Sequence, residues 1–88
     1  MLQITIKFGE PLRRDVGRRR ISFSLPDGAT ADDLLALLVQ QYPDFEAALR
    51  SYPYIIFING RPVTAANYNA TRLQDGDIVH LALPVVGG

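Results

Sequence analysis

The stretch LPDGATADDLLALLVQQYP, residues 25–43, predicts a helix with clear start and stop signals and so decides the fold. Thr30 can cap the first turn together with Asp33, and acidic residues suit the positive end of a helix dipole. Pro43 prevents continuation. The apolar residues recur every three to four positions and form one stripe: Leu34, Leu35, Leu38 and Tyr42. We therefore expect one amphipathic helix over about residues 30–42, whose apolar stripe covers a sheet.

Alternating apolar and polar residues on both sides of this helix predict strands. Two runs of this kind precede the helix, residues 2–8 and 21–25. After it, YIIFINGRPV at residues 54–63 joins a β-branched and aromatic run to Asn59-Gly60, a pair that suits a two-residue hairpin turn. IVHLAL at residues 78–83 predicts a last strand with Val79, Leu81 and Leu83 on one side.

The order of these elements predicts an α+β domain of the β-grasp type, with one main helix packed across a mixed sheet of four to five strands. Residues 44–53 are expected to be irregular or to form a short helical turn. Pro84 cannot donate to a sheet ladder, so we expect the domain to cover residues 1–83 and an extended tail to follow at residues 84–88.

Composition limits the classes of function. The 88 residues suffice for one domain, and no apolar run approaches the length of a membrane helix. The N-terminus lacks the features of a signal peptide, so we expect the cytoplasm. Cysteine is absent, which excludes disulfides and thiolate metal sites, and no metal site is expected. Nine acidic and nine basic residues cancel, so net charge predicts neither membrane nor nucleic-acid binding.

The tail ALPVVGG, residues 82–88, is the stretch with the most chemical interest. Gly87 and Gly88 have no Cβ and can enter a channel too narrow for other residues. A carboxylate on Gly88 would be ionised at neutral pH and would stand at the tip of a slim arm. Such a group can attack the α-phosphorus of ATP and become a mixed anhydride. The alternative is a frayed end that happens to contain glycines.

The motifs LPDGATADDLLALL, FINGRPV and LQDGDIVHLALPVVGG, in this order, resemble the ubiquitin-like sulfur carriers, most of all the small subunit of molybdopterin synthase. The resemblance covers essentially the whole chain. It implies that Gly88 is adenylated and then thiocarboxylated, and that Pro84, Val85, Val86 and Gly87 thread the tail into partner enzymes. The Leu12–Gly17 segment, with its L-R-x-x-x-G pattern, also resembles the molybdopterin carriers rather than the shorter thiamin carriers.

The same resemblance implies partners and a role. The expected partners are a ubiquitin-activating-like adenylyltransferase, a sulfur donor system and the large subunit of molybdopterin synthase. The activating enzyme would use ATP, and no cofactor would be bound to this chain. The chain itself would be a cosubstrate that is consumed and regenerated, and not an enzyme on its own. Ala82 and Leu83 depart from the Phe-Pro usual in the family, and Val86 replaces a smaller residue. Carriers for thiamin, cysteine or transfer RNA thiolation, or a protein modifier, remain as alternatives.

A carrier must present a sheet face to its partners, so we expect exposed apolar residues on the last strand and on FINGRPV. The candidate partner-binding residues are Phe57, Arg61, Leu81 and Leu83. Five arginines lie within residues 13–20. They could form a solvated loop, bind an acidic protein surface or contact nucleic acid. Nucleic acid is not the expected partner, because no aromatic residues alternate with these arginines. His80 is expected to have a surface or sheet role.

Overall fold

The computed structural model describes residues 1–9, 13–14, 17, 19–51 and 54–82. Five strands, two helices and a short 3₁₀ turn at Ala65–Asn67 are described over their full length, and residues 13–14 are also helical. In chain order, the strands and helices are β1 (Leu2–Phe8), β2 (Arg20–Leu25), α1 (Ala31–Gln41), α2 (Pro43–Ser51), β3 (Ile55–Ile58), β4 (Arg61–Val63) and β5 (Ile78–Ala82).

The strands form one mixed sheet in the order β2-β1-β5-β3-β4. The two central strands, β1 and β5, are parallel, and every other neighbouring pair is antiparallel. The first and last of the described strands therefore lie side by side in the middle of the sheet. The predicted α+β class, with one main helix on a mixed sheet, is confirmed.

The predicted helix is present as α1 with both of its start signals in use. The backbone N–H of Asp33 donates to Thr30 Oγ1 over 3.3 Å, and the N–H of Thr30 donates to Asp33 Oδ2 over 2.9 Å. This reciprocal capping box satisfies two N–H groups that a helix start leaves without partners. The helix buries Ala31, Leu34 and Leu38 in the core, and Leu38 is fully buried.

We expected residues 44–53 to be irregular or to form a short helical turn, but a nine-residue helix, α2, begins at Pro43. Pro43 stops α1 and also opens α2, since proline suits the first position of a helix, where its missing N–H is not needed. Acidic residues in the first turn and Arg50 in the last turn suit the helix dipole. Phe45, 1% exposed, anchors α2 to the core with its ring edge against Phe8 at a centroid distance of 5.4 Å.

The core lies between α1, α2 and one face of the sheet, here called the inner face. Alternate residues of β1, β2 and β5 point into it, as the alternation predicts. The Asn59-Gly60 turn joins β3 to β4 with positive φ angles of 51° and 83°, which is the conformation that this pair tolerates best. Neither α1 nor α2 covers the opposite side of the sheet, and we call it the outer face.

Candidate functional site

The tail residues that the sequence singles out lie outside the described residues. These are Leu83, Pro84, Val85, Val86, Gly87 and Gly88. Strand β5, which leads to them, is described as far as Ala82 and is bonded on both sides. Gly9 N–H donates to Leu81 O over 2.8 Å, so the pairing with the end of β1 continues almost to the last described residue. The base of the tail is thus held in the centre of the sheet.

A cleft of about 420 Å³ opens on the outer face beside this base, and we call it the outer cleft. Its lining residues come from β1, β5 and the β3–β4 hairpin: Lys7, Phe57, Asn59, Gly60, Ile78, His80 and Ala82. Cross-strand register places His80 between Lys7 and Phe57 in one row. Ile78 is 42% exposed, and among the described residues only Met1 is a more exposed large apolar side chain. The cleft therefore combines an apolar floor with a basic rim.

Of the four candidate partner-binding residues, the structure describes three, and these three lie in different places. Phe57 is half-buried and lines the outer cleft. Arg61 is exposed on β4, in a second depression shared with Asp77 and Arg72. Leu81 is fully buried, so its prediction as a surface contact is wrong. Leu83 lies outside the described residues.

The reason for the error is the period of a β-strand. Side chains alternate between faces, so Val79 and Leu81 point into the core while Ile78, His80 and Ala82 point to the outer face. The outer residues of β5 are therefore the even-numbered ones. Ile78 and Lys7 were missed as site residues, although the alternation in IVHLA and in LQITIKF already placed both on the outer face. His80 is exposed there, as predicted for a surface or sheet role.

A buried carboxylate fixes the hairpin to the start of β5. Asp77 is 8% exposed; its Oδ1 accepts from Asn59 Nδ2 over 2.8 Å, and its Oδ2 accepts from the N–H of Gln74 over 2.8 Å. Asn59 Oδ1 in turn accepts from the N–H of Ile78 over 3.0 Å. The Asp77 side chain therefore positions the wall of the outer cleft that Asn59 and Ile78 form.

The arginines near the loop between β1 and β2 are exposed wherever the structure describes them: Arg13, Arg14, Arg19 and Arg20. Arg20 pairs with Lys7 across the β1–β2 ladder. Positive charge therefore extends from the loop onto the outer face and reaches the rim of the outer cleft. Arg18 lies outside the described residues.

Two tyrosines form a pair behind the site, close to Asp32 at the start of α1. Burial raises the pKa of Tyr54, and the negative charge of Asp32 raises it further, while the hydrogen bond with Tyr68 lowers it. Burial also raises the pKa of Tyr68, with smaller contributions from Tyr54, from Asp32 and from the hydrogen bond that the two hydroxyl groups share. The pKa of each tyrosine therefore lies above the ordinary value of 10.0, so both hydroxyl groups are harder to ionise.

This pair predicts a loss of stability in alkali. Well below pH 10.0 both tyrosines are neutral in the folded and unfolded chain, so their contribution is fully present. As pH rises further, the unfolded chain ionises first, and the free energy of unfolding falls until the folded-state pKa is passed. Urea titrations at several alkaline pH values measure this fall, and the Tyr54→Phe/Tyr68→Phe variant should show a smaller one. An equal fall in both proteins would contradict the prediction.

The model of the ThiS family matches residues 6–88, which is almost the whole chain. The chain belongs to the ThiS family. This is a family of ubiquitin-like sulfur carriers and modifiers. The ThiS-family chain is 32% identical over 92 residues to small archaeal modifier protein 3 of Haloferax volcanii, covering 99% of this chain and 100% of that protein. It is 29% identical over 87 residues to the molybdopterin synthase sulfur carrier subunit of Chlamydomonas reinhardtii, covering 99% and 100%.

Solved structures show the same fold. Subunit 1 of a molybdopterin converting factor from Pyrococcus furiosus superposes with a TM-score of 0.81 at 24% identity, covering 97% of this chain and 100% of that one. Subunit 1 in a complex of subunits 1 and 2 of the molybdopterin-converting factor from Helicobacter pylori has a TM-score of 0.70 at 24% identity, covering 99% and 100%. Small ThiS-family proteins are typically non-catalytic subunits.

No helix of the ThiS-family chain, within the residues that the structure describes, has both the length and the apolar character that crossing a membrane requires. Nor do three histidine, aspartate or glutamate side chains of the described ranges lie close enough together to hold a metal ion.

Proposed function

We propose that this chain is a sulfur carrier whose Gly88 carboxyl group is adenylated and then converted to a thiocarboxylate. The observation that carries the proposal is the family match itself, which runs from residue 6 to residue 88 and so includes PVVGG. In the first step a carboxylate oxygen attacks the α-phosphorus of ATP and pyrophosphate leaves. Hydrosulfide that a sulfur donor supplies then attacks the acyl carbon, the bond from that carbon to the AMP oxygen breaks, and AMP leaves with the electron pair, which gives the thiocarboxylate.

The acceptor of the sulfur is, in our proposal, the precursor of molybdopterin. The support is the 29% identity to a sulfur carrier subunit of molybdopterin synthase, over 99% of this chain. The proposed partners are an activating enzyme of the ubiquitin-activating type and a large subunit of the synthase. A relative of similar fold forms a complex with its own subunit 2, which is the kind of assembly that we propose.

The outer face provides a surface for such partners. The outer cleft adjoins Ala82, so an enzyme that contacts the cleft would lie beside the strand that leads to the tail. Ile78 and Phe57 supply apolar contact area, and Lys7 and Arg20 supply positive charge. A surface that is apolar at its centre and charged at its rim is the usual composition of a protein interface.

The test is the intact mass of the chain after incubation with a cognate activating enzyme, ATP and a sulfur donor. We expect the mass to rise by the difference between one sulfur atom and one oxygen atom. A chain without Gly88 should show no rise. An unchanged mass of the wild-type chain, with an enzyme that modifies its own natural carrier in a parallel tube, would refute the proposal.

Protein modification is the second candidate function, because the chain is 32% identical to a protein named as a modifier. Both functions begin with the same acyl adenylate and differ in the nucleophile that attacks it. Sulfur gives the thiocarboxylate, whereas a lysine amine gives an isopeptide bond. Amide-linked adducts that form in cell extract with the wild-type chain, and not with the chain that lacks Gly88, would establish the second function.

A further inference from the structure

The nine basic residues of the chain are eight arginines and one lysine, Lys7. Arginine does not serve as an acyl acceptor here, because its guanidinium group stays protonated. Lys7 is therefore the one side-chain amine that an activated acyl group could acylate. The other amine that the structure describes is that of Met1, which lies 3.5 Å from Asp27 Oδ1 as an ion pair.

The structure places Lys7 on the outer face at the rim of the outer cleft. Its side chain is exposed, and it stands between Arg20 on one neighbouring strand and His80 on the other. No described residue forms a hydrogen bond or an ion pair with its side-chain amine. Because Lys7 is exposed, an incoming group can reach its amine. The neighbouring Arg20 adds a second positive charge to the rim, which attracts an anionic group such as an acyl adenylate.

The outer cleft beside Lys7 suits a slim apolar peptide. Its floor is formed by Phe57, Ile78 and Ala82, and Ile78 is left 42% exposed although it is large and apolar. Gly60 lines the cleft without a side chain, and space within 4 Å of its missing Cβ is open. The sequence PVVGG of the tail offers two valines for the apolar floor, followed by two residues that have no side chain.

We propose that Lys7 is the acceptor for the Gly88 acyl group of a second copy of this chain, whose tail lies in the outer cleft. The inference rests on the proposed function, because it requires the same acyl adenylate. The lone pair of the neutral Nζ attacks the acyl carbon and forms the C–N bond. The bond between that carbon and the AMP oxygen breaks, AMP leaves with the electron pair, and Nζ releases one proton to water. Two chains are then joined by one isopeptide bond.

The experiment incubates the full chain with its activating enzyme and ATP, without a sulfur donor. We expect a species with the mass of two chains less one water molecule. Tryptic digestion should give residues 73–88 linked through Gly88 to the Lys7 side chain. The Lys7→Arg variant keeps the charge and should lose the linked species completely. The double variant Lys7→Arg/Arg72→Lys moves the lysine away from the outer cleft and should also give none.

Four outcomes would overturn the inference, and they differ from failure of the proposed function. A linked product in the double variant would show that any exposed lysine serves. A product with the mass of one chain less one water molecule would show that the tail reacts with its own molecule. A link to Met1 would show that the acceptor is the α-amine and not Lys7. If no linkage forms but the same protein is thiocarboxylated once the sulfur donor is added, the proposed sulfur-carrier function stands and the proposal for Lys7 is refuted. Absence of both products, with an active enzyme, would refute both.

Discussion

Replacing Leu81 by Asp should unfold the domain, whereas replacing Ile78 by Asp, three positions earlier on the same strand, should leave it folded. Leu81 is fully buried between Phe8 of β1 and Ile56 of β3. Loss of its apolar side chain alone costs about 2–5 kcal/mol. An unpaired carboxylate at this place adds several kcal/mol more. The sum approaches the whole stability of a small domain, about 5–15 kcal/mol.

Circular dichroism during urea unfolding tests this pair of variants. We expect Leu81→Asp to show no cooperative transition, and Leu81→Ala to remain folded with a reduced midpoint. Ile78→Asp should remain folded, with a free energy of unfolding about 1–2 kcal/mol below that of the wild type, since Ile78 is 42% exposed and Asp is unfavourable in a strand. The same Ile78→Asp protein should bind the activating enzyme more weakly if the outer cleft is the docking surface. A cooperative, wild-type-like transition of Leu81→Asp would contradict the assignment of Leu81 to the core.

Replacing Asp77 by Ala should lower the free energy of unfolding by about 2–4 kcal/mol, because two hydrogen bonds to a buried carboxylate are lost. The N–H of Gln74 and the side-chain amide of Asn59 both donate to Asp77 and would lose their acceptor. Asn59 also accepts from the N–H of Ile78, so the hairpin would lose its fixed position against β5. Asp77→Asn keeps acceptor capacity on one atom and should cost less.

Asp75→Ala provides the matched control two residues away. Asp75 also accepts a backbone hydrogen bond, from Gln3 N–H over 2.8 Å, but it is exposed, so water can take its place. Its removal should cost about 0.5–1.5 kcal/mol. Urea unfolding measures both costs, and amide exchange should quicken at Gln74 and Ile78 in Asp77→Ala. Equal costs for Asp75→Ala and Asp77→Ala would show that burial of Asp77 adds nothing.

The features that the sequence predicts well are local. The capping box joins residues three positions apart, Thr30 and Asp33, and the hairpin turn depends on the adjacent pair Asn59-Gly60. Both can be read from a few letters, because the partners are near in the chain. Helix α2 is local too, but Pro43 suggested only an ending. Its anchor, Phe45, depends on a contact with Phe8 that no local pattern shows.

The sequence predicts a site residue only where the face of a single strand decides whether its side chain is exposed. Strand alternation already placed Ile78 and His80 on one face and Leu81 on the other, so the choice of Leu81 as a contact was an error of assignment. The Asn59–Asp77 hydrogen bond joins residues 18 positions apart, and its formation depends on the pairing of β3 with β5. The outer cleft likewise requires Lys7 and His80 to meet across parallel strands.

The parallel pairing of β1 with β5 also governs when the protein can fold during its synthesis. Before β5 is available, β1 can pair only with β2, and β3 only with β4, which leaves two separate hairpins with no strand to join them. Contacts between residues as distant as Gln3 and Asp75 form late, because closing a long loop costs entropy before the contact repays it. The nascent chain therefore completes its sheet only after Ala82 has left the ribosome, and until then it exposes two open strand edges to neighbouring chains and chaperones.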